Sequence, residues 1–160
     1  MENGILKIVS LHINKKFIYD VLTKEILSGE YNRIVLDSVT PLVDMPIFVE
    51  KTEFLESMDL ISSDDFSSTV MIPKNRMHLY YIMNLLDTVH CTSLVTSELP
   101  YGSFSLSRDG ISEFLVDGVI LLNFDPIMDR RKISVMKMRN THHSLKPRDI
   151  KIEEDGIKLL

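Results

Sequence analysis

This 160-residue chain has one cysteine, six glycines and six prolines, and each scarcity removes a class of protein. A single thiol, Cys91, excludes an internal disulfide framework, and its apolar neighbours are those of a buried, inert side chain. The scattered glycines form neither the Gly-x-Gly-x-x-Gly turn of dinucleotide-binding folds nor the Gly-x-x-x-x-Gly-Lys loop that holds phosphates. Cradling a phosphate takes several converging backbone N–H groups, and the nearest glycine context, Glu98 to Ser103, lacks both the lysine and the second glycine. No Pro/Gly-rich linker, internal repeat, serine-nucleophile elbow or zinc-ligand set is present either. No apolar run reaches the ~20 residues that span a bilayer. The start, Met1 to Gly4, lacks the basic n-region of a signal peptide. The cytoplasm is the expected compartment, and no membrane partner is expected.

What the chain does contain fits one soluble domain over residues 1–160. At 44% hydrophobic and 26% charged it is neither disordered nor fibrous, and its length suffices for a single core. Eighteen basic against 23 acidic residues leave a formal charge of −5, which opposes nonspecific nucleic-acid binding. Apolar spacing predicts a strand at Leu6–Leu11 and a helix at Lys16–Leu27 with Phe17, Ile18, Val21, Leu22 and Ile26 on its stripe. A strand at Arg33–Asp37 follows, then a helix at Asn75–His90 with Met77, Leu79, Ile82, Met83, Leu86 and Val89 inward. Further strands are predicted at Ser93–Thr96, Gly118–Asn123 and Ile133–Met138, then a pair at Asp149–Ile152 and Ile157–Leu160 turned by Asp155-Gly156. Strands alternating with helices early, and hairpins late, predict an α/β fold: a mainly parallel twisted sheet with helices on both faces and a C-terminal antiparallel hairpin. Residues 45–72 break the rhythm. They offer an amphipathic helix near Ile47–Ile61 and then a polar loop, Ser62–Ser68, in which Phe66 is either incidental or an anchor for a partner.

Several residues sit where chemistry gathers. Asp37 and Ser38 close an apolar strand, and ligands of open α/β sheets collect beyond the carboxyl ends of parallel strands. A carboxylate there either holds the water shell of Mg²⁺ on a nucleotide or caps the next turn; the residues alone leave both readings open. Thr96, Ser97 and Glu98 end the next strand, where they sense a phosphate, position a water or simply begin a turn. Lys137 and Arg139, two apart in a strand, leave the same face. Two neighbouring cations call for an anion between them or for solvent screening, and triphosphate oxygens are a good match for the forked donors of arginine. His142 and His143 extend the cluster, but His12, His78 and His90 lack the spacing of a metal site.

The order of these pieces resembles the KaiC/RadA branch of the RecA-like ATPase superfamily over nearly the whole chain. Glu2 to Val9 is similar to the strand after the family's P-loop helix, and Arg33 to Leu42 to Walker B. Thr92 to Glu98 is similar to the next core strand, and Arg108 to Leu122 and Arg130 to His143 are KaiC-like, with a later strand containing Gly156-Ile157. The resemblance implies rings or filaments that bind ATP between neighbours. Asp37 would then serve a magnesium site in cis, while Lys137, Arg139, Thr141 and His143 would face a neighbour's nucleotide and Glu154 would lie near its base. Asn140 stands where the family has glycine, and Glu154 is a longer acid than usual. Residues 45–72 are longer than the family's stretch and are expected to be an insertion.

With no Walker A loop and no catalytic glutamate among these residues, the expected fold is an incomplete RecA-like core without autonomous ATPase activity and with no catalytic residue assigned. ATP with Mg²⁺ is expected only at a subunit interface. Three functions follow. The first is a noncatalytic, oligomeric regulatory or interaction module whose partner is a second copy or a P-loop-containing KaiC-like chain. The second is a fragment or subunit of a KaiC/RadA-type ATPase. The third is a nucleic-acid-binding relative using the loops at Gly102–Gly110 and Asp125–Lys132, favoured by Arg130, Arg131 and Lys132 and opposed by the net charge.

Overall fold

Two helices with apolar stripes supply the core of the first half of the chain. In the structure, a computed structural model that describes residues 6–12, 18–44 and 74–160, α1 (Ile18–Ser28) buries Ile18, Tyr19, Leu22 and Ile26. These positions recur at one helical turn. Gly29 follows the helix, and a Cβ placed there would lie 1.9 Å from the Tyr31 ring, which is itself held by a hydrogen bond to Glu25. β1 (Arg33–Leu36) and the one-turn α2 (Thr40–Val43) come next. After the undescribed stretch, α3 (Lys74–Thr88) buries His78, Leu79, Ile82, Leu85 and Leu86. β2 (Thr92–Val95) then pairs with β1 in parallel, from Arg33↔Thr92 to Leu36↔Val95.

The chain divides into two compact units, Met1–Glu98 and Leu99–Leu160. The second unit begins with loops and the one-turn α4 (Ser112–Leu115), then runs as an antiparallel meander of β3 (Gly118–Asp125), β4 (Arg130–Met138), β5 (Arg148–Glu153) and β6 (Gly156–Leu159). A register shift between Val119 and Ile120 marks a bulge. At the β3–β4 turn the Asp125 carboxylate accepts the N–H groups of Ile127 and Met128, an Asx-type closure. Arg131 lies over the Phe124 ring at 4.8 Å. The fold is α/β, as the sequence predicts, with a parallel sheet of β1 and β2 and an antiparallel sheet that extends from the expected C-terminal hairpin back to β3.

Three details of this architecture differ from the sequence-based expectation. Leu6–Leu11 forms no strand: among the described residues nothing pairs with it, and a strand exists only where its N–H and C=O groups find a ladder. Lys7 bonds Glu25 on α1 instead. Cys91 is half-buried, with Sγ 4.0 Å from Ser93 Oγ. The β5–β6 loop is Glu154-Asp155, with Gly156 (φ +125°) already paired to Glu153, so the turn falls one residue earlier than the Asp-Gly pair suggests. The helix and loop expected within residues 45–72, with Phe66, lie outside the described residues. No helix among those described is long and apolar enough to cross a membrane.

The inward faces of α1 and α3 are each turned by one polar group. Val21, expected inside, is 45% exposed, and Tyr19 is buried in its stead. His78, on α3, is fully buried and its Nδ1 is hydrogen-bonded to the Tyr19 hydroxyl, which donates to Leu42 O at 3.3 Å. A phenol has one proton. Given to Leu42 O, it leaves the oxygen free to accept from His78 Nδ1–H, and one chain of donors serves three buried groups. Burial holds the Tyr19 hydroxyl well above the usual tyrosine range, so it stays protonated. Tyr19→Phe breaks this chain at its middle while keeping the ring. The expected loss is about 1–3 kcal/mol of unfolding free energy in urea, with the denaturant slope unchanged; a loss within error would show that the hydroxyl ties nothing together.

Candidate functional site

The candidate residues fall into two groups, one in each unit. In the first, the β1–β2 ladder continues past both strands: Thr96 N–H donates to Leu36 O at 3.0 Å, and Val39 N–H to Thr96 O at 2.9 Å. This brings Asp37 beside Thr96, whose hydroxyl donates to Asp37 Oδ1. The Asp37–Ser38 peptide bond is cis. The N-cap of α2 is Val39, with no side-chain cap, so the capping reading of Asp37 is removed. Its carboxylate is exposed and faces the neighbouring strand end instead. Glu98 N–H is accepted by Thr40 Oγ1 at 3.0 Å, fixing the turn after Ser97. Ser97 Oγ is buried and has no hydrogen-bond partner among the described residues.

One carboxylate flanked by hydroxyls at the carboxyl ends of two parallel strands suits Mg²⁺ of a particular kind. The ion keeps much of its water and takes one or two carboxylates, with phosphate oxygens completing its octahedron. Among the described residues no group of three His, Cys, Asp or Glu side chains could hold a metal without such help. Asp37, Ser38 and Thr96 therefore fit the ion only together with a phosphate ligand.

The second group gathers at the end of β4. Lys137 Nζ donates to Glu113 O, within α4, at 2.8 Å and to Val116 O, at its C-cap, at 2.6 Å, near the end where helical C=O groups have no partner in the helix. Arg139 bonds Asp117 Oδ1 at 3.0 Å through one terminal nitrogen and Phe114 O at 3.4 Å through the other, while its N–H donates to Asp117 O at 2.8 Å. The two cations that share a strand thus meet different counter-groups: carbonyls hold Lys137, and a carboxylate holds Arg139. Their side chains differ in consequence. Arg139 is 53% exposed, and the Lys137 ammonium is part-buried. Asn140 has φ +56°, a left-handed conformation that asparagine tolerates far better than most residues. Thr141 and His143 follow in an exposed loop, with His143 Nδ1 3.2 Å from Thr141 O. Glu154 is exposed at the β5–β6 turn.

Sequence reasoning missed the group that organises this end of the unit. Asp109 accepts from Ile111 N–H at 2.7 Å, Ser112 N–H at 2.6 Å and Ser112 Oγ at 2.6 Å. Ser107, nearly fully buried, bonds Glu113 and receives Gly110 N–H at 2.9 Å. Burial alone pushes the Asp109 carboxyl up, but the bonds from the Ser112 hydroxyl and from the Ser112 and Ile111 N–H groups outweigh it and hold the carboxyl below its usual value. The aspartate three residues ahead of Ser112 was the available signal, since short polar residues ahead of a helical turn act as caps.

A family model described as "ATPase: KaiC" matches residues 57–160. A UPF0273 protein of Methanocaldococcus jannaschii is 29% identical over 147 residues, which cover 90% of this chain and 50% of that one. A UPF0273 protein of Thermotoga maritima is 26% identical over 140 residues, 86% of this chain and 47% of its own. A crystal structure of a KaiC-like protein from Pyrococcus horikoshii superposes with a TM-score of 0.62 at 26% identity, over 96% of this chain and 59% of that one. The chain spans about half the length of the curated relatives it matches.

Two outcomes test the second group. Because the Asp109 carboxyl is lower in the folded chain than its usual 3.8, the stability it supplies is complete above that value and drains away as pH falls through the folded-state value. Asp109→Ala should cost about 1 kcal/mol near neutral pH and flatten the acid limb of a melting series; an unchanged limb would show that the carboxylate is idle. Lys137→Met should cost about 1–3 kcal/mol, because it strips two carbonyls of their donor. Arg139→Met should cost less than about 1 kcal/mol, its ion pair being largely in solvent. Equal midpoints in guanidinium would contradict this division of labour.

Proposed function

The chain belongs to the KaiC family of RecA-like ATPases, and from that premise we propose that these 160 residues work as a noncatalytic, oligomeric module that lends residues to an ATP site at a subunit contact. The observation that carries the reading is the unequal housing of the two strand cations. Lys137 is committed to α4, whereas Arg139 is exposed, held at a defined place, and has five N–H donors of which Asp117 and Phe114 O take only two among the described residues. An arginine fixed at a strand end, with Thr141 and His143 just beyond it, is suited to meet phosphate oxygens presented by another subunit. Asp37 with Ser38 and Thr96 supplies a magnesium side of matching type, and Glu154 at an exposed turn is free to meet a base or ribose. The noncatalytic part of the reading concerns these 160 residues alone, which contain no Walker A loop: without a cradle for phosphates they have no attacking water to activate by themselves. Partners of this kind are a second copy or a KaiC-like chain that carries its own P-loop.

A second reading has its own support. Spanning about half the length of its relatives, the chain is suited to act as one portion of a KaiC/RadA-type ATPase that binds ATP at a subunit interface. A nucleic-acid partner has Arg130, Arg131 and Lys132 in its favour and the formal charge of −5 against it.

Titration of the chain with a fluorescent ATP analogue and Mg²⁺ separates these readings. Saturable binding is expected, weakened at least ~10-fold by Arg139→Ala, since a charge-assisted hydrogen bond contributes about 1.5–3 kcal/mol, and without phosphate release. Arg139→Ala is the cleaner variant because Lys137→Ala also loosens α4. No saturation at millimolar nucleotide would overturn both readings. Phosphate release abolished by Asp37→Asn would overturn the noncatalytic one alone.

A further inference from the structure

Arg139 does not wait empty. Its guanidinium is held by Asp117 Oδ1 at 3.0 Å, in the short stretch that joins α4 to β3, and by Phe114 O at 3.4 Å, within α4 itself. A phosphate oxygen that bonded the same face of the guanidinium would compete with both. The competition is uneven in a telling way. Asp117 is 83% exposed and pairs through a single oxygen, so its hold is that of a surface ion pair and is readily exchanged. The backbone around it is tied independently: Arg139 N–H stays on Asp117 O, and Lys137 keeps α4 against β4 through Glu113 O and Val116 O. Releasing the Asp117 carboxylate therefore costs little structure and frees one arginine fork.

The geometry points to Asp117 as an intramolecular stand-in for the phosphate: it occupies Arg139 in the absence of nucleotide and is displaced by an oxyanion ligand, so that it lowers the apparent affinity of the site. This rests on the nucleotide-binding reading above and adds its regulation. Displacement also withdraws the arginine from Phe114 O, a carbonyl of α4. Nucleotide occupancy is thereby coupled to the one-turn helix whose Phe114 side chain is 69% exposed, a route by which bound phosphate would be reported to a partner surface. An ordinary positioning role predicts the reverse sign, because an aspartate that orients the arginine for its ligand should be missed when removed.

The test is the same Mg²⁺–ATP-analogue titration with Asp117→Ala and Asp117→Asn, and with inorganic phosphate as a competitor. Both variants should bind tighter, up to ~5-fold, the span expected of an exposed ion pair. The gain should shrink as salt screens the pair. Hydrogen exchange at the Val116 amide, which closes α4 onto Ser112 O at 3.3 Å, should quicken when wild type is saturated. Weaker or unchanged binding in both variants overturns the proposal and leaves Asp117 a positioning residue or a bystander. If wild type binds no nucleotide, the reading on which this rests has failed and the proposal falls with it; if wild type binds and the variants do not tighten, only the proposal falls. Since Asp117 is exposed and bonded through its side chain to Arg139 alone among the described residues, the variants should melt within about 1 kcal/mol of wild type.

Discussion

An ammonium group lodged between two backbone carbonyls sets the shape of the second unit. A helix of four residues has almost no intrinsic stability, because the cost of nucleating a turn is spread over a single bond or two. α4 persists because both of its ends are answered. Asp109 collects the N–H groups at its start, and Lys137 collects carbonyls at its finish. The two charges act with the polarity of the peptide dipoles, negative at the N-terminal end and positive at the C-terminal end. Everything nearby depends on this pair: Phe114 O and Asp117 reach Arg139 only because α4 is pinned where β3 begins.

The first unit reaches an equivalent result by a different route. Its candidate residues are fixed by backbone ladder bonds that outlast the strands proper, with Val39 and Thr96 linked beyond the last assigned pair. Side-chain bonds then fasten the ends, Thr96 to Asp37 and Glu98 N–H to Thr40. Tyr19 and His78 tie α1 and α3 to Leu42 of α2. A polar chain in a helical core therefore bears on the position of the turn that follows Asp37. That is a costly way to pack, since a buried polar group without its partner is penalised more than an apolar one is rewarded, and it secures geometry where apolar packing would leave slack.

How far the sequence reveals this depends on the range over which each signal acts. Helices and strands with regular spacing were legible: α1, α3, β1 and β2 lie within a few residues of where periodicity puts them, and the meander follows from its alternating segments. Elements too short to have a period were not. α2 and α4 are single turns, visible only through partners distant in sequence, so Lys137 could be seen to lack a counter-charge but not to find its two carbonyl acceptors 21 and 24 residues earlier. The strand expected at Leu6–Leu11 has strand-like residues but no neighbour among those described, and pairing is a property of two segments. Tyr19 and His78 escaped for a related reason. Apolar stripes rank both as border residues, and only their mutual hydrogen bond makes the inward orientation favourable. That Asp37 follows a strand and that Lys137 and Arg139 sit two apart at the end of another was legible; which cation is spent on structure was not.

That division bears on how substitutions in this family should be read. A lysine and an arginine two residues apart invite treatment as one binding unit, and here they answer to different constraints. Lysine, a compact charge with three donors on a flexible stem, suits a pocket of carbonyls. Arginine presents a planar fork that carboxylate and phosphate can share or exchange. Exchanging the two residue types would place the fork where only point donors fit and leave a single ammonium where a planar anion contact is required. Asn140 fits the same logic. It takes a left-handed conformation, φ +56°, as the backbone passes from Arg139 into the loop of Thr141 and His143. Asparagine sets the direction of the chain after the arginine without the freedom that glycine would bring.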